Sequence, residues 1–383
     1  MGRSDPVKVL YCHHTDPHYM PPPQLSPDQV VCGPFCADKS EAGRVISLAT
    51  SPGAWSLPDL LGRLPREQRP DLVVVKADAS RQNFPIGLDR VDARKLLVIG
   101  DTWHMYRPLS TMLAYVRQEP YDVYVTEYMR RHAHFFLEAG VPDLFWLPAL
   151  SLDPFDGGFR QRRERHASFV GQHGVHHPRR RRMIGELERR ELPVAAGSAP
   201  QREALEVYAS SLCTLNLSGN GDTNLRVFEA LSAGGCLLTD RCRPESGLEL
   251  LFRDGEHLLL WDDFDDLADK VERLLAHPSE ALRIAERGRR ALQRAHLPQR
   301  RRRQLIELAL HGWIDPVYDT RNDPRSRVLP HRDEPAFTLA VTITECLQAM
   351  HRDMERLRVL ALPRVEAALC ADLVDLPRLE LIM

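Results

Sequence analysis

Apolar residues along this chain come in short unbroken runs, and between the runs they recur every three or four positions. "VKVLYC" (7–12), "GRVISLAT" (43–50), "DLVVVKAD" (71–78), "KLLVIGD" (95–101), "YDVYVT" (121–126) and "DLFWLP" (143–148) are runs of the first kind. Strands this apolar must be covered on both faces, which is the condition of a parallel sheet sandwiched by helices. "SLPDLLGRLP", "PLSTMLAYVRQ" and "YMRRHAHFFLEAG" carry helical spacing, and the last ends in a glycine suited to capping a helix. The proline-rich segment 16–29 reads as a loop at the mouth of the sheet. Periodicity stops over 147–166 and then restarts: strand "ASFVGQ", helix "RRRMIGELERRE", strand "LPVAAG", helix "REALEVYASS", strand "CTLNLS", helix "NLRVFEALSAGG", strand "CLLTD". A polar linker begins near 315 and leads to an apolar, helix-patterned tail, which either crosses back onto the first domain or provides a homo-oligomer contact.

The pattern therefore predicts an α/β protein of two doubly wound, Rossmann-like domains, 1–155 and 160–312, followed by a linker and helical tail, 313–383. Two open sheets joined by one linker are expected to face each other across a cleft, with ligands at the carboxyl ends of the strands. At 383 residues the chain is too long for one ordinary core, which agrees with two domains.

Composition narrows the class. The chain is 43% hydrophobic and 27% charged, with a net charge of -2, as in a globular protein. No apolar run is long enough to cross a bilayer, and the N-terminus enters a strand without a signal-peptide core, so residence in the cytoplasm is expected. Gly2 would suit an N-terminal acyl chain, but Pro6 stands where that motif calls for Ser or Thr. Eight cysteines, several in apolar strands, read as buried thiols. Cys12, His13, His14, Cys32 and Cys36 match no familiar zinc spacing, and no metal site is expected. Arginines cluster at 179–182 and 300–303. On a near-neutral chain they fit a confined anion or a solvated helix face better than general nucleic-acid binding, and 300–303 reads as the solvated face.

The chemistry concentrates in the second half. "EVYASSLCTLNLSGNGDTNLRVFEALSAGGCLLTDRC" (206–242), followed by "ELLFRDGEHLLLWDDFDDLADKVERLLAHP" (249–278), resembles the nucleotide-sugar domain of GT-B glycosyltransferases, in particular the group with the CgeB-like spore-maturation proteins. In that family a strand ends in a Ser loop, the next helix carries Arg-x-Phe-Glu-Ala-Leu, and a second strand ends in Thr-Asp. The resemblance spans about 167–305; the first domain matches in layout only, and the tail not at all.

It implies a glycosyltransferase that moves a sugar from a nucleotide-diphosphate sugar, such as a UDP-sugar, to a hydroxyl acceptor without a metal or other cofactor. It implies retention of anomeric configuration as well. Glu229 takes the place of the carboxylate that accepts both hydroxyls of the donor ribose, a geometry a carboxylate suits. Asp222, Thr223, Asn224 and Arg226 lie where the helix start meets the diphosphate or sugar, and Asp222 or Thr223 would also serve as an N-cap. Arg179 and Arg180, after "ASFVGQ", are a second pair of phosphate candidates. Gly221 departs from the family pattern, which has Glu at that position, and the adjacent Asp222 is the available substitute.

In the first domain, Asp101 and His104 of "GDTWHMYRP" follow a buried strand and are the candidate catalytic pair. The plain alternative is Asp101 capping a turn with His104 beneath a loop. Lys76, Asp78, His13 and His14 share the same rim. Two other readings use the same residues: a non-catalytic sugar-nucleotide-binding scaffold, and a nucleic-acid-binding or -modifying protein, which the near-neutral charge disfavours.

Overall fold

The computed structural model describes residues 6–17, 20–174, 177–219, 221–322, 334–353, 357–360 and 379–382. The chain divides into two compact units, one of residues 1–151 with 299–345, the other of residues 152–298 with 346–383.

The first unit is built on an eight-stranded sheet. Its strands are β1 (Val9–Cys12), β2 (Val30–Gly33), β3 (Lys39–Glu41), β4 (Arg44–Ala49), β6 (Leu72–Ala77), β8 (Arg94–Ile99), β9 (Val123–Thr126) and β10 (Leu144–Trp146). The order is β10-β9-β8-β6-β1-β2-β4-β3, parallel except for β3 against β4. The six apolar runs of this half form β1, β4, β6, β8, β9 and β10. Every residue of β6, Lys76 included, is buried, which is why the run has no polar alternation. β2 directly follows the proline-rich loop, and β5 (Gly53–Ser56) pairs with β7 (Asn83–Ile86) in a small separate sheet; periodicity alone does not reveal these three short strands. Helices α1 (Leu57–Gly62), α2 (Pro108–Gln118) and α3 (Ala133–Glu138) occupy the predicted segments. The chain runs from β1 out to β4 on one side and returns to β6 on the other, so the strand order reverses between β1 and β6.

The second unit holds a five-stranded, all-parallel sheet, order β12-β11-β13-β14-β15. It alternates as β11 (Arg165–Val170), α4 (Pro178–Arg189), β12 (Val194–Gly197), α5 (Gln201–Ser210), β13 (Ser211–Asn216), α6 (Leu225–Ala233), β14 (Cys236–Asp240), α7 (Leu248–Leu251), β15 (Leu259–Trp261), α8 (Phe264–Ala276) and α9 (Pro278–Ala295). One core joins Phe169, Leu215 and Leu238 of the sheet to Met183 and Leu187 of α4, Leu267 and Val271 of α8, and Ile284 of α9. Here the reversal falls between β11 and β13. In open α/β sheets such a point opens a crevice at the strand carboxyl ends.

Helix α10 (Pro298–His311) belongs to the first unit. The reading of 300–303 as a solvated face fails at Arg301, which is fully buried. Its Nε donates to Pro148 O at 3.0 Å and its guanidinium lies 4.5 Å over the Tyr318 ring. A planar cation can be buried this way because carbonyl and ring face replace water. Helix α11 (Glu334–Asp353) returns to the first unit over residues 334–345: Arg117 pairs with Glu334 at 3.0 Å, Phe337 packs on Phe135, and Ser110 donates from N and Oγ to the Glu345 carboxylate at 2.7 Å. Farther along, β16 (Leu357–Leu360) pairs in parallel with β17 (Leu379–Ile382). Gly2 lies outside the described residues.

Candidate functional site

The carboxyl ends of β13 and β14 carry polar residues that a purely structural strand would not place there. Asn216, Ser218, Thr239 and Asp240 are all buried. Buried polar groups persist only when hydrogen-bonded, and these bond to one another. Asn216 Nδ2 donates to Thr239 Oγ1 at 2.9 Å, while Ser218 donates from N and Oγ to the two Asp240 oxygens at 2.7 Å. Asn216 Oδ1 then accepts from Asn224 Nδ2 at 3.2 Å and from Arg226 Nη1 at 2.6 Å. The network ties Ser218, Asn224 and the start of α6 to the strand ends.

Asn224 occupies the cap position of α6, but its Oδ1 makes no capping bond and is buried without a partner among the described residues, while its Nδ2 donates to Asn216. The capping role expected of Asp222 or Thr223 is therefore filled by neither. Thr223 is buried and donates to Ser246 O at 3.0 Å; Asp222 is buried beside it. Gly221 has φ +71°, a left-handed conformation that a side chain disfavours. That gives a physical reason for glycine at the position where the family pattern has Glu. At the far end of α6, Gly234 (φ +73°) closes the helix and Gly235 packs on Thr214, where a Cβ would come within 2.4 Å of the hydroxyl.

Two guanidinium groups converge on the Phe169 ring at the end of β11, Arg226 at 4.9 Å and Arg180 at 5.9 Å from its centre. Arg226 Nε donates to Val170 O at 2.7 Å, so this side chain braces β11 against β13 across the reversal of strand order. Arg180 is in the first turn of α4, where the helix dipole also disfavours a cation. Its Nη1 donates to Gln172 O at 3.1 Å and its Nη2 reaches Leu217 O at 3.5 Å, while its Nε is buried without a partner. Burial and the nearby charge of Arg226 pull Arg180 down to about 10, against the opposing pull of Asp222 and Asp240. Arg179 is half-buried, and its charge acts on Asp240; Arg181 and Arg182 are exposed. Burial raises Asp240 above the usual carboxylate range, with Arg179 and the Ser218 bonds working against it.

Glu229 sits one turn beyond Arg226 on α6. Gln201 Nε2, from the start of α5, donates to its Oε1 at 2.8 Å, and Oε2 takes no hydrogen bond among the described residues. Burial raises Glu229, offset in part by Gln201 and by the charge of Arg226. Arg179, Arg180, Asp222, Thr223, Asn224, Arg226 and Glu229 thus belong to one unit and to the strand-end region of one sheet. Gln201, Phe169, Asn216 and Asp240 were not singled out from sequence; polar residues ending otherwise apolar strands were the available signal.

In the first unit, Asp101 and His104 form a local turn. Asp101 Oδ1 accepts from Trp103 N at 2.7 Å and His104 N at 3.1 Å, and Oδ2 contacts His104 Nδ1. The His104 side chain is 46% exposed. At the neighbouring strand ends, Lys76 and Glu127 form a buried ion pair at 2.6 Å, completed by Ser151, whose Oγ lies 2.6 Å from Lys76 Nζ and whose N donates to Glu127 Oε1. Among the described residues no three His, Cys, Asp or Glu side chains gather as metal ligands.

His13 is buried and donates from Nε2 to Met20 O at 2.8 Å. Burial, helped by the charges of Lys76 and His14, lowers its pKa from 6.5 to about 4. A histidine held neutral in the folded state stabilises the fold above pH 6.5, and that stability is lost as pH falls toward 4, where only the unfolded chain is protonated. The loss across this window is on the order of 3 kcal/mol. Urea melts at pH 7 and pH 5 should show it, and His13→Gln should flatten the difference; an equal slope in the variant would reject the assignment. Asp78, lowered to about 2, acts below this window.

Residues 164–307 match the family model described as glycosyl transferase-like. No curated protein sequence matches the chain. Among solved structures it is similar to a sucrose-phosphate synthase from Thermosynechococcus elongatus, at 13% identity and TM-score 0.51, over 78% of this chain and 97% of that one. It is likewise similar to a glycosyltransferase from Rickettsia africae ESF-5, at 8% identity and TM-score 0.50, over 80% and 98% of the two chains. At these identities the likeness is one of fold, and the fold is GT-B. Among the described residues, no helix is long and apolar enough to cross a membrane.

Proposed function

We propose, for a chain whose residues 164–307 match the glycosyl transferase-like family model and whose fold is GT-B, that the second unit binds a nucleotide-diphosphate sugar and that the protein transfers the sugar to a hydroxyl acceptor. The observation that carries this reading is Arg180. It is a half-buried guanidinium, hydrogen-bonded to carbonyl oxygens and set over Phe169, its pKa lowered first by burial and then by the charge of Arg226, at the positive end of a helix. Asp222 and Asp240 offset this in part, whereas a diphosphate would relieve burial, repulsion and dipole together.

Each neighbouring residue then has a role. Arg180, with Arg179, offsets charge developing on the departing diphosphate, a contribution that needs no metal ion. Arg226 keeps the strand ends in place and adds to the positive field. Glu229, with Oε2 unoccupied by the protein, accepts from the ribose diol. Asp222 and the backbone about Gly221 and Thr223 lie beside the sugar. Acceptor recognition falls to the first unit, and the Asp101–His104 turn and the His14–Asp78 pair are its two candidate chemical groups.

A thermal-shift screen with UDP-, GDP-, dTDP- and ADP-sugars tests the reading. One nucleotide sugar should raise the melting temperature, and the shift should vanish in Glu229→Ala. A protein stabilised by none of them would not be a nucleotide-sugar enzyme. Binding without any transfer would favour the scaffold alternative.

A further inference from the structure

A pocket of about 280 Å³ opens at the amino ends of β8, β9 and β10, the end of the first sheet opposite the Asp101 turn. Arg94 and Val123 begin β8 and β9, and Asp143 immediately precedes β10. Leu308 of α10 and Ile314, from the segment after it, close the pocket over these strand starts. The covering segment is fixed to the sheet. Buried Thr320 donates to Leu144 O at 2.5 Å, Asp319 bridges Phe145, and Arg94 Nε donates to Ala309 O at 3.0 Å. Every lining residue belongs to the first unit, so the pocket is complete within it. Its size is that of a site for one ring-sized ligand.

The charges lining it narrow the ligand class. Arg321 is spent: Nε and Nη2 donate to the Asp319 carboxylate at 3.0 and 2.7 Å, Nη1 donates to Asp143 Oδ1, and the guanidinium lies 5.9 Å over the Phe145 ring. Arg94 and Asp122 form a looser pair. Arg94 Nη1 lies 3.6 Å from Asp122 Oδ1, too far for a hydrogen bond, while Asp122 Oδ2 accepts from Lys95 N at 2.7 Å. Among the described residues, Asp122 Oδ1, Asp143 Oδ2 and both Nη groups of Arg94 have no hydrogen bond. An anion entering here meets three carboxylates, and a cation meets two guanidinium groups. A hydroxyl group donates and accepts through one atom, so it can bridge Arg94 and Asp122 with neither penalty. Trp313 is an independent observation. Gly312 N returns to Leu308 O at 3.0 Å and ends α10, which sets Trp313 between two lining residues, Gly312 and Ile314. It is 61% exposed, whereas the other four tryptophans are buried. An indole left in water at the edge of a pocket forgoes the burial that a ligand could supply.

We infer that this pocket is a separate carbohydrate-binding site, which takes a neutral pyranose ring with Trp313 against its C–H face and the Arg94–Asp122 pair at its hydroxyl edge. A pyranose carries C–H groups on its faces and hydroxyls around its rim. One face therefore packs on an aromatic plane while the rim hydroxyls meet a guanidinium and a carboxylate. Asp143 Oδ2 is left for a second hydroxyl. The inference goes beyond the donor reading and does not depend on it, because no residue of the second unit lines the pocket. A saccharide bound here is at the far end of the strands from the crevice of the first sheet, so the site holds a sugar and performs no chemistry on it.

The test uses the full-length protein and a panel of neutral probes: methyl glucoside, methyl galactoside, maltose, cellobiose and lactose. Glucuronate and protonated glucosamine serve as charged counterparts. Saturation-transfer NMR detects binding, and titration followed by tryptophan fluorescence gives the affinity. At least one neutral probe should bind, and more tightly than either charged sugar. Trp313→Ala should weaken it by about tenfold or more, and Trp313→Phe should restore most of the loss. Asp122→Asn should weaken it by roughly three- to tenfold through loss of a charge-assisted bond. Both variants should melt within a degree or two of wild type, since Trp313 is exposed and Asn keeps an acceptor for Lys95 N. The inference is overturned if none of the neutral probes binds, if a charged sugar binds best, or if Trp313→Ala leaves the affinity unchanged. Displacement of the probe by the nucleotide sugar that the thermal-shift screen selects would also overturn it, because the probe would then occupy the donor site. Failure of the donor reading is seen separately, as the absence of any thermal shift with a nucleotide sugar.

Discussion

Replacing Arg180 with alanine is expected to weaken binding of the nucleoside diphosphate by roughly 10- to 150-fold, the loss of one charge-assisted hydrogen-bonding group worth about 1.5–3 kcal/mol. Calorimetric titration of the diphosphate into wild type and variant measures it. The ligand-free protein should melt no lower than wild type, because the side chain removed is a half-buried cation facing Arg226 and no carboxylate pairs with it. These two outcomes separate a ligand-binding arginine from a structural one. Arg226→Ala provides the contrast: it removes the brace between Val170 and Asn216, so both melting temperature and affinity should drop. If Arg180→Ala destabilised the free protein and left the affinity alone, the guanidinium would be a structural clamp on Gln172 and Leu217, and the diphosphate site would have to lie elsewhere.

The second large effect is on stability. Lys76→Met leaves the Glu127 carboxylate buried beside Ser151 with no countercharge, at a cost of about 3–5 kcal/mol. Removing both charges in Lys76→Met/Glu127→Leu should recover most of that, since the pair repays little more than its own desolvation. Urea denaturation followed by tryptophan fluorescence suits the measurement, because Trp55, Trp103, Trp146 and Trp313 lie in the first unit and only Trp261 in the second. A single variant as stable as wild type would mean that Glu127 becomes protonated or reaches water when Lys76 is gone. A double variant as unstable as the single one would assign the cost to packing around β6.

Much of the fold was legible along the chain. Strands buried on both faces have few polar positions, so β1, β6, β8, β9 and β10 stand out as apolar runs, as does the mostly half-buried β4, and α2, α4 and α6 as the periodic stretches between them. β2, β3, β5 and β7 did not stand out. Each is six residues or shorter and β3 is wholly exposed, so register with a neighbour defines them rather than their own hydropathy. The arginine run at 300–303 illustrates the same limit: helical period alone could not distinguish Arg301, buried against Tyr318, from the exposed Arg303.

The candidate donor site was visible as a motif, and Arg226 and Glu229 could be named without a structure. The motif does not reveal that Arg226 spends two of its nitrogens on Val170 and Asn216, or that Arg180, from a helix earlier in the chain, is the cation left without a carboxylate. Nor could sequence order bring His14 to Asp78 across more than sixty positions while leaving His104 in a local turn. Local chemistry determines which segments are strands, helices and turns, because burial and backbone preference act over a few residues. Which charges meet, which are satisfied and which remain for a ligand was decided only when the parallel strands came into register, because that step sets the carboxyl ends of distant segments side by side.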